Sequence, residues 1–297
     1  MKILVTGGSG FVGREVLRLL DATPHAVRVL AHQSTKLYGV EIRGGSVLDA
    51  ASLDGAVAGI DAVIHLVGII SECGTNTFEN VHTSGTRNVL AAARAAGVRR
   101  FVHMSALGTR PDAVSRYHKT KWAAEEIVRQ SGMDWTIFRP SIIYGRNDLF
   151  VNLFAGMSRF SPILPVIGLG ESKLQPVPVE DVAACFVGSL IEPRSISQTL
   201  DLCGPEKLSF VQVLNIILSV SRRKRVKPHI PLGLARLQAT LLEFVFPRFL
   251  RKPPPLNRDQ LIMLQEDNVG NPEPANELFG LKPVSFREGI SRYLAKR

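Results

Sequence analysis

The chain has 297 residues, of which 45% are hydrophobic and 21% charged, and it carries a formal net charge of +10. This composition is ordinary for a globular protein, and because no run of eighteen apolar residues occurs, we expect no membrane-spanning helix. The apolar run after Met1 is too short for a signal peptide, so we expect a cytoplasmic protein. The three cysteines are widely spaced, which predicts free thiols and no metal site.

The first two hundred residues alternate predicted strands and helices. Continuous apolar strands that alternate with helices indicate a parallel sheet covered on both faces, here an α/β fold with a doubly wound sheet of the Rossmann type. We assign residues 1–140 to this domain, completed by parts of 175–204, where 198–203 predict an additional strand. The other predicted strands are 2–6, 26–31, 40–43, 61–67, 100–105 and 135–139, and the predicted helices are 11–20, 78–96 and 115–130.

After Pro140 the chain becomes rich in proline and glycine, which marks a change of organisation. We expect residues 141–174 and 205–297 to form a smaller, mostly helical lobe for a substrate or partner. This lobe would cover the carboxyl ends of the strands, where such sheets bind their ligands. Helices are predicted at 179–191, 209–219, 232–246, 257–266 and from Ser285 to the end.

The strongest motif follows the first strand, where Gly7, Gly10 and Gly13 recur at every third position. The first glycine permits a tight turn, the second lets the backbone approach a pyrophosphate, and the third allows close packing of helix and strand. The helix N-terminus then offers unpaired N–H groups to the phosphates. The alternative is a purely structural turn. The predicted dinucleotide-binding turn comprises Thr6, Gly7, Gly8, Ser9, Gly10, Phe11, Val12 and Gly13.

The end of the second strand predicts which dinucleotide binds. An Asp or Glu there would bind the 2′-hydroxyl of NAD, but residues 30–36 contain no acid. His32 and Lys36 could instead face a 2′-phosphate, so we favour NADP(H) over NAD(H) as the cofactor. In the alternative interpretation, these two are solvated loop residues.

A second motif pairs Tyr117 with Lys121, four residues apart and therefore on one face of a helix. A lysine ammonium beside a phenol lowers the phenol pKa, so the tyrosine could exchange a proton with a carbonyl or alcohol while a nicotinamide exchanges hydride. Ser105 ends the fifth strand, where its hydroxyl could hold the substrate oxygen. By contrast, we expect His65 and His103 to be core histidines with satisfied hydrogen bonds.

With these motifs, the sequence resembles the extended and atypical short-chain dehydrogenases/reductases, and the resemblance covers essentially the whole chain. Within that superfamily it is most similar to bacterial relatives of the NAD(P)H-binding accessory subunit of respiratory complex I. Besides residues 6–13 and the set of Ser105, Tyr117 and Lys121, the resemblance is carried by 85–90, 97–108, 139–145, 175–183 and 254–260.

The resemblance implies two functions of different classes. In the first, the protein is an oxidoreductase acting on a carbonyl, alcohol or quinone-like substrate. Tyr117 would exchange the proton, and Lys121 would lower the pKa of Tyr117 and hold the ribose. In the second, it is a non-catalytic accessory or assembly protein of a complex I-like or ubiquinone-biosynthesis complex. Its dinucleotide would then be a structural ligand, and Tyr117 would be a family relic.

Two positions depart from the family pattern. His82 stands where extended members usually have an Asn, and Ser46 stands where an Asp often contacts the adenine. Neither departure removes the expected dinucleotide site. We expect the residues that complete this site to be Leu48, Leu66, Val67, Gly68, Lys121, Pro140 and Ile143.

The positive charge is concentrated in residues 221–258, which contain ten Lys or Arg and one acid, Glu243. Because this segment includes the predicted amphipathic helix 232–246, it predicts association with an anionic membrane surface or a membrane protein complex. We therefore expect a cytoplasmic protein that is peripheral on the inner face of the membrane. In the alternative, the apolar face of this helix lines the substrate lobe and the cations form a solvated rim. No nucleic-acid-reading motif accompanies the charge, so nucleic acid is not an expected partner.

Overall fold

The structure is a computed structural model that describes residues 1–31 and 39–294. The strands, in chain order, are β1 (Lys2–Thr6), β2 (Ala26–Ala31), β3 (Glu41–Gly44), β4 (Ala62–His65), β5 (Arg100–Met104), β6 (Asp134–Pro140), β7 (Ile143–Tyr144), β8 (Val166–Ile167), β9 (Lys173–Leu174), β10 (Val177–Pro178), β11 (Gln198–Leu202), β12 (Leu208–Ser209) and β13 (His229–Ile230). The α-helices are α1 (Phe11–Asp21), α2 (Ala50–Val57), α3 (Gly85–Ala95), α4 (Arg116–Arg129), α5 (Phe150–Phe160), α6 (Val179–Gly188), α7 (Phe210–Val220), α8 (Leu232–Val245), α9 (Arg258–Met263), α10 (Glu273–Phe279) and α11 (Phe286–Leu294). Two π-helical segments, Glu79–Ser84 and Phe246–Leu250, and a 3₁₀ turn, Pro193–Ser195, accompany them.

Seven strands form one parallel sheet in the order β11-β6-β5-β4-β1-β2-β3. The chain starts in the middle, winds outward through β2 and β3, crosses back to β4 and then winds outward on the other side. This is the doubly wound topology, in which ligands bind where the strand order reverses, between β1 and β4. The predicted fold class is therefore confirmed.

The alternation of side chains along β1 shows how two core layers arise. Ile3 and Val5 belong to a layer shared with α1 and α6, whereas Leu4 belongs to the opposite layer with α2, α3 and α4. All three side chains are fully buried, and burial of each contributes about 2 kcal/mol. The two layers hold the carboxyl ends of the central strands at a fixed edge.

The second half of the chain adds smaller helical clusters. The helices α5, α7 and α11 enclose a core around Val213, Ile217 and Ile290, and α8 shares a small cluster with Leu261 of α9. The strand predicted at 198–203 is β11, which pairs with β6 at the sheet edge. The division of the chain into a dinucleotide-binding domain and a smaller lobe stays a prediction. Among the described residues, no helix is long and apolar enough to span a membrane.

Several element boundaries differ from the prediction. The helices α2, α5 and α10 are additional to it; α2 begins after Asp49, whose carboxylate accepts the Ala51 N–H at 3.2 Å. The predicted helix 78–96 begins as a π-helical segment, and the predicted strand 61–67 ends at His65. The chain after β4 is therefore a loop, and this loop borders the site.

Candidate functional site

The glycine turn after β1 lies against the end of β4. Gly7 has a φ of +77°, and a Cβ at this position would lie 3.0 Å from the backbone carbonyl carbon of Leu66. The Gly10 N–H donates to the Gly7 carbonyl at 3.0 Å and closes the turn. A Cβ at Gly13 would overlap that same carbonyl, so a glycine is needed for α1 to pack this closely. Among the described residues no side chain caps α1, so its first N–H groups are available to a phosphate.

The other residues predicted to bind a dinucleotide flank this turn on both sides of the sheet. Leu48 and Val67 pack against the layer that contains α2, α3 and α4, whereas Phe11 and Ile143 pack against the opposite layer. Of the remaining predicted residues, Thr6, Gly8, Val12, Leu66 and Pro140 are buried, Ser9 and Gly68 are exposed, and His32 and Lys36 lie outside the described residues.

Two side chains fix the N-terminus of α4. The Ser115 hydroxyl accepts the His118 N–H at 3.1 Å. The Asp259 carboxylate, from α9, accepts the N–H groups of Arg116 and Tyr117 at 2.7 and 2.9 Å. Because Asp259 is 142 residues away from Tyr117 in the chain, the second half of the protein positions the helix that carries the predicted catalytic pair.

Lys121 lies one helical turn further along α4, between the ends of β4 and β5. Its side chain is 2% exposed, and its Nζ donates to the Met104 carbonyl at 3.0 Å. A Cβ at Gly68 would lie 3.0 Å from this Nζ. Burial lowers the pKa of Lys121 to about 8, against an opposing effect of Glu125. The predicted lysine is therefore adjacent to the loop predicted to border the cofactor.

Tyr117 lies half-buried among aromatic rings. Its ring meets those of His82, His118 and Phe78 edge-on, at centroid distances of 5.2, 5.3 and 5.9 Å. Within the described part of the chain, its hydroxyl makes no hydrogen bond. The phenol oxygen is therefore available to a ligand.

The pKa of Tyr117 differs from the sequence-based expectation. Burial among the rings, together with the Asp259 carboxylate, raises the pKa of the phenol to about 12. The lowered pKa predicted from the spacing of Tyr117 and Lys121 is therefore wrong. The physical reason is that the Lys121 ammonium donates to the Met104 carbonyl, while the phenol is desolvated and faces a carboxylate. Tyr117 consequently keeps its proton at neutral pH.

The Ser105 hydroxyl is bound to a buried carboxylate. It donates to Glu125 Oε1 at 2.5 Å, and Glu125 is fully buried. Arg129 and Arg139 donate to the same carboxylate, each at 2.6 Å. The predicted role of Ser105 in holding a substrate oxygen therefore does not fit, because its proton is already donated within this cluster. Sequence reasoning missed the cluster, for which the spacing of Glu125 and Arg129 by four residues was a signal.

Two buried histidines lie at the ends of β4 and β5. His65 contacts the Thr6 hydroxyl at 2.6 Å and the Thr86 hydroxyl at 3.1 Å, as expected of a core histidine. His103 stacks on His65 at a centroid distance of 5.4 Å, but neither of its ring nitrogens has a hydrogen-bond partner among the described residues. The expectation that His103 is satisfied is therefore wrong: its ring stacks on those of His65 and Phe101, and its nitrogens have no hydrogen-bond partner among the described residues. Burial lowers the pKa of His65 to about 3 and that of His103 well below its usual value, so both are neutral.

His82 links the loop after β4 to α4. Its Nε2 accepts the Ile69 N–H at 3.1 Å, and its Nδ1 contacts the Thr120 hydroxyl at 2.9 Å. Burial lowers its pKa to about 2, so the ring is neutral and can accept that N–H. At this position, which departs from the family pattern, the imidazole holds the loop that borders Lys121.

A cavity of about 660 Å³ is lined by residues that contact Tyr117, although Tyr117 itself does not line it. One wall includes Phe78 and Arg116, and the second half of the chain contributes Asp259 and Glu243. Phe78 contacts the Tyr117 ring, and Asp259 binds its N–H. No sequence motif indicates this cavity, because its walls come from segments more than a hundred residues apart.

Comparison with known proteins identifies the family. Residues 7–153 match a family described as NAD(P)H-binding. The chain is 29% identical over 280 residues to NADH dehydrogenase (ubiquinone) 1 alpha subcomplex subunit 9, mitochondrial, of Arabidopsis thaliana, covering 89% of this chain and 70% of that protein. It is 35% identical over 191 residues to the ceramide reductase of Caulobacter vibrioides (62% of this chain, 59% of that protein). It is 34% identical over 213 residues to the (4-alkanoyl-5-oxo-2,5-dihydrofuran-3-yl)methyl phosphate reductase of Streptomyces griseus (70% of this chain, 69% of that protein).

Solved structures agree on the fold. The UDP-glucose 4-epimerase of Thermus thermophilus, in complex with NAD, superposes with a TM-score of 0.75 over 99% of this chain and 98% of that chain, at 21% identity. At that identity the likeness concerns the fold alone. The family match, the glycine turn and the relatives agree, and the chain belongs to the family of NAD(P)H-binding proteins.

Proposed function

We propose that the protein is an NADPH-dependent reductase of a carbonyl or quinone-like group. The observation that carries this proposal is the convergence of three elements at the carboxyl edge of the sheet. The glycine turn lies against Leu66, the Lys121 ammonium lies beside Gly68, and Tyr117 on the same helix has a free hydroxyl. Reductases among the relatives support the assignment.

The residues present fit a dinucleotide. Side chains are absent at Gly7, Gly10 and Gly13, where a Cβ would crowd the turn, and the N-terminus of α1 follows directly. In this proposal the N–H groups of residues 8–12 bind the pyrophosphate, and Lys121 binds the nicotinamide ribose. The bound nicotinamide supplies the hydride. Since no acid occurs at residues 30–36, and His32 and Lys36 do, we propose NADPH over NADH.

In this proposal Tyr117 is the proton donor. Because its pKa lies near 12, it is protonated at neutral pH and can donate to a carbonyl oxygen as the carbonyl carbon accepts hydride. The product is an alcohol. For a quinone, one hydride and one proton suffice, and the hydroquinone forms when the carbon that accepted the hydride loses its proton while the second carbonyl oxygen gains one. Glu125 would not touch the substrate; its carboxylate holds Ser105, Arg129 and Arg139 and so fixes α4.

A second candidate function is that of a dinucleotide-binding accessory protein of a membrane complex. One observation favours it: the Ser105 hydroxyl, which a catalytic site could use, is engaged with Glu125. The similarity to a subunit of mitochondrial NADH dehydrogenase points the same way. In this case the dinucleotide stabilises the fold, and the Tyr117 hydroxyl is dispensable.

We also propose that residues 221–258 attach the protein to an anionic membrane surface. The alternative, that the apolar face of α8 lines the substrate lobe, does not agree with the exposure of Leu234, Leu237 and Leu241. Each basic residue near such a surface contributes about 1 kcal/mol to binding. We expect the protein to sediment with vesicles that contain anionic lipid at low salt and to be released by salt. Absence of sedimentation at low salt would remove this part of the proposal.

Replacement of Tyr117 by Phe separates the two functions. The reductase proposal predicts that Tyr117→Phe lowers NADPH oxidation, measured with a panel of quinones and ketones, by 100-fold or more. NADPH binding, followed by its fluorescence, should be unchanged. Tyr293→Phe is the matched control, since it also removes a tyrosine hydroxyl, here one that donates to Asp148.

Unchanged NADPH oxidation in Tyr117→Phe would exclude the proposed role of the phenol. For the accessory function, the measurement is a pull-down of the tagged protein from gently solubilised membranes. Co-purification with respiratory-complex subunits at moderate salt, without any NADPH oxidation, would favour that function. Recovery of the protein alone would count against it.

A further inference from the structure

Helix α8 presents its large apolar side chains to the outside. Leu234, Leu237 and Leu241 are 57%, 68% and 60% exposed, whereas Ala235 and Ala239 are fully buried. The exposed positions recur at spacings of three and four residues and form one stripe. The helix is therefore attached to the protein through its small residues, and its leucines face away.

The chain after α8 extends this surface and adds positive charge. Phe244 and Phe249 are also more than half exposed, and Arg248, Arg251 and Lys252 are exposed beside them. The one acid within 221–258, Glu243, is paired with Arg258 at 2.5 Å. An apolar stripe flanked by unneutralised cations is complementary to a bilayer that contains anionic lipid, which is the occupant to which we commit.

The same segment forms a wall of the cavity next to Tyr117. Glu243 near the end of α8, Pro247 and Pro254 in the turn that follows, and Arg258 in α9 line it. Val114, 62% exposed, lines it from the other side. The cavity therefore lies between the end of the segment that carries the apolar surface and two residues that contact Tyr117, namely Phe78 and Asp259.

The charges that line this cavity are matched within the protein. Arg116 is paired with Glu72 at 2.9 Å, and Arg258 with Glu243. Asp259 accepts two backbone N–H groups. Because its carboxylates outnumber its guanidinium groups, the cavity disfavours an anionic molecule such as a sugar nucleotide. Of the remaining lining residues, Thr77 and Asn257 are polar, whereas Phe78, Val114, Pro247, Pro254 and Ile262 are apolar.

From this geometry we infer that the substrate is a neutral lipid, with a long apolar tail and a reducible carbonyl or quinone head, which enters the cavity from the membrane. This inference rests on the proposed reductase function and gives its substrate class. The head would lie next to Tyr117, and the tail would leave between α8 and Val114 toward the apolar stripe. Reduction consumes one hydride from NADPH and one proton from Tyr117 for each ketone, and likewise one of each for a whole quinone, which has two carbonyls.

The first test compares two quinones with the same head, one carrying a ten-carbon tail and one without a tail. NADPH oxidation is measured with each quinone, in solution and in vesicles of three parts neutral and one part anionic phospholipid. We expect at least a tenfold higher kcat/KM for the tailed quinone in vesicles. Leu237→Glu combined with Leu241→Glu should remove this advantage and leave oxidation with the tail-less quinone in solution unchanged.

Leu153→Glu combined with Phe160→Glu is the matched control, since both side chains are exposed on α5 and the charge change is the same. It should leave the vesicle rates unchanged. Equal rates with and without the tail, or an undiminished vesicle rate in the α8 variant, would overturn the lipid inference while the reductase function stands. Efficient turnover or tight binding of UDP-glucose would overturn it as well.

A second test does not need turnover, so that failure of the reductase function is recognised separately. A neutral long-chain ketone with a photoactivatable diazirine in its tail is crosslinked to the protein in the same vesicles. We expect labelled peptides that contain residues 72–78 and 254–262, and loss of the label in the α8 variant. Label only on the outer face of α8, or none, would overturn the inference. Label in the cavity without any NADPH oxidation would retain the lipid site and reject the reductase.

Discussion

Replacement of Gly13 by Ala tests the dinucleotide site without knowledge of the substrate. A Cβ at this position would overlap the Gly7 carbonyl oxygen and lie 2.6 Å from Gly8 Cα. Both neighbours are backbone atoms, so no side-chain rotation relieves the overlap, and α1 must shift away from the turn. Overpacking of this kind destabilises a protein by about 1 to 3 kcal/mol, and we expect a value near the upper end. The shift also displaces the N–H groups, so NADPH affinity should fall by about tenfold or more.

Gly156→Ala is the matched control, because it makes the same change inside helix α5, where a Cβ would meet nothing within 4 Å. There the higher helix propensity of alanine should stabilise the protein by about 0.5 to 1 kcal/mol. Urea unfolding gives the free energy of unfolding, and NADPH fluorescence gives the dissociation constant. Wild-type NADPH affinity in a folded Gly13→Ala variant would refute the assignment of this turn to the pyrophosphate.

Three further predictions follow from buried polar groups. The pKa of Lys121 falls from 10.5 in the unfolded chain to about 8 when folded, so between these pH values the unfolded chain holds a proton that the folded protein has lost. The free energy of unfolding of the wild type, minus that of Lys121→Met, should therefore rise by about 3 kcal/mol from pH 8 to 10.5. A difference that does not change with pH would contradict the burial of Lys121. Ser105→Ala removes a hydrogen bond to a buried carboxylate, so the free energy of unfolding should fall by about 1.5 kcal/mol. NADPH oxidation should be retained. Loss of NADPH oxidation in a stably folded variant would show that Ser105 has a catalytic role. His103→Phe replaces a ring whose nitrogens lack hydrogen-bond partners, which should stabilise the protein by about 1 kcal/mol. We therefore expect the midpoint of thermal unfolding to rise by a few degrees. A lower midpoint would contradict the absence of partners.

The sheet could be predicted because its signals are local. The strands β1 and β2 were predicted with the observed bounds, since each is a continuous apolar run followed by a change of residue type. The helix α2 could not be predicted, because its eight residues have weak periodicity and it depends on the Asp49 cap and on packing. The strand predicted at 61–67 was too long, because apolar residues such as Leu66 and Val67 also line a loop.

The candidate site could be predicted only where its residues lie close in the chain. The glycine turn and the pairing of Tyr117 with Lys121 are visible as spacings. The hydrogen bond of Ser105 to Glu125, the ion pair of Arg139 with the same Glu125, and the action of Asp259 on Tyr117 join segments up to 142 residues apart. Since a pKa depends on such distant neighbours, the sequence predicted the residue types of the site but the wrong direction for the phenol.

The raised pKa of Tyr117 also bears on the direction of the proposed reaction. Oxidation of an alcohol needs a base, and a phenol with a pKa near 12 is almost wholly protonated at pH 7. Reduction of a carbonyl needs the proton that this phenol keeps. We therefore expect reduction with NADPH to proceed at pH 7, and alcohol oxidation with NADP⁺ to rise about tenfold for each pH unit up to the phenol pKa, within the pH range in which the protein stays folded. The measurement is the initial rate in both directions from pH 6 to 10, with Tyr117→Phe as the control. An oxidation rate that is already maximal at pH 7 would show that the bound dinucleotide lowers the phenol pKa, and the protein would then serve as a dehydrogenase.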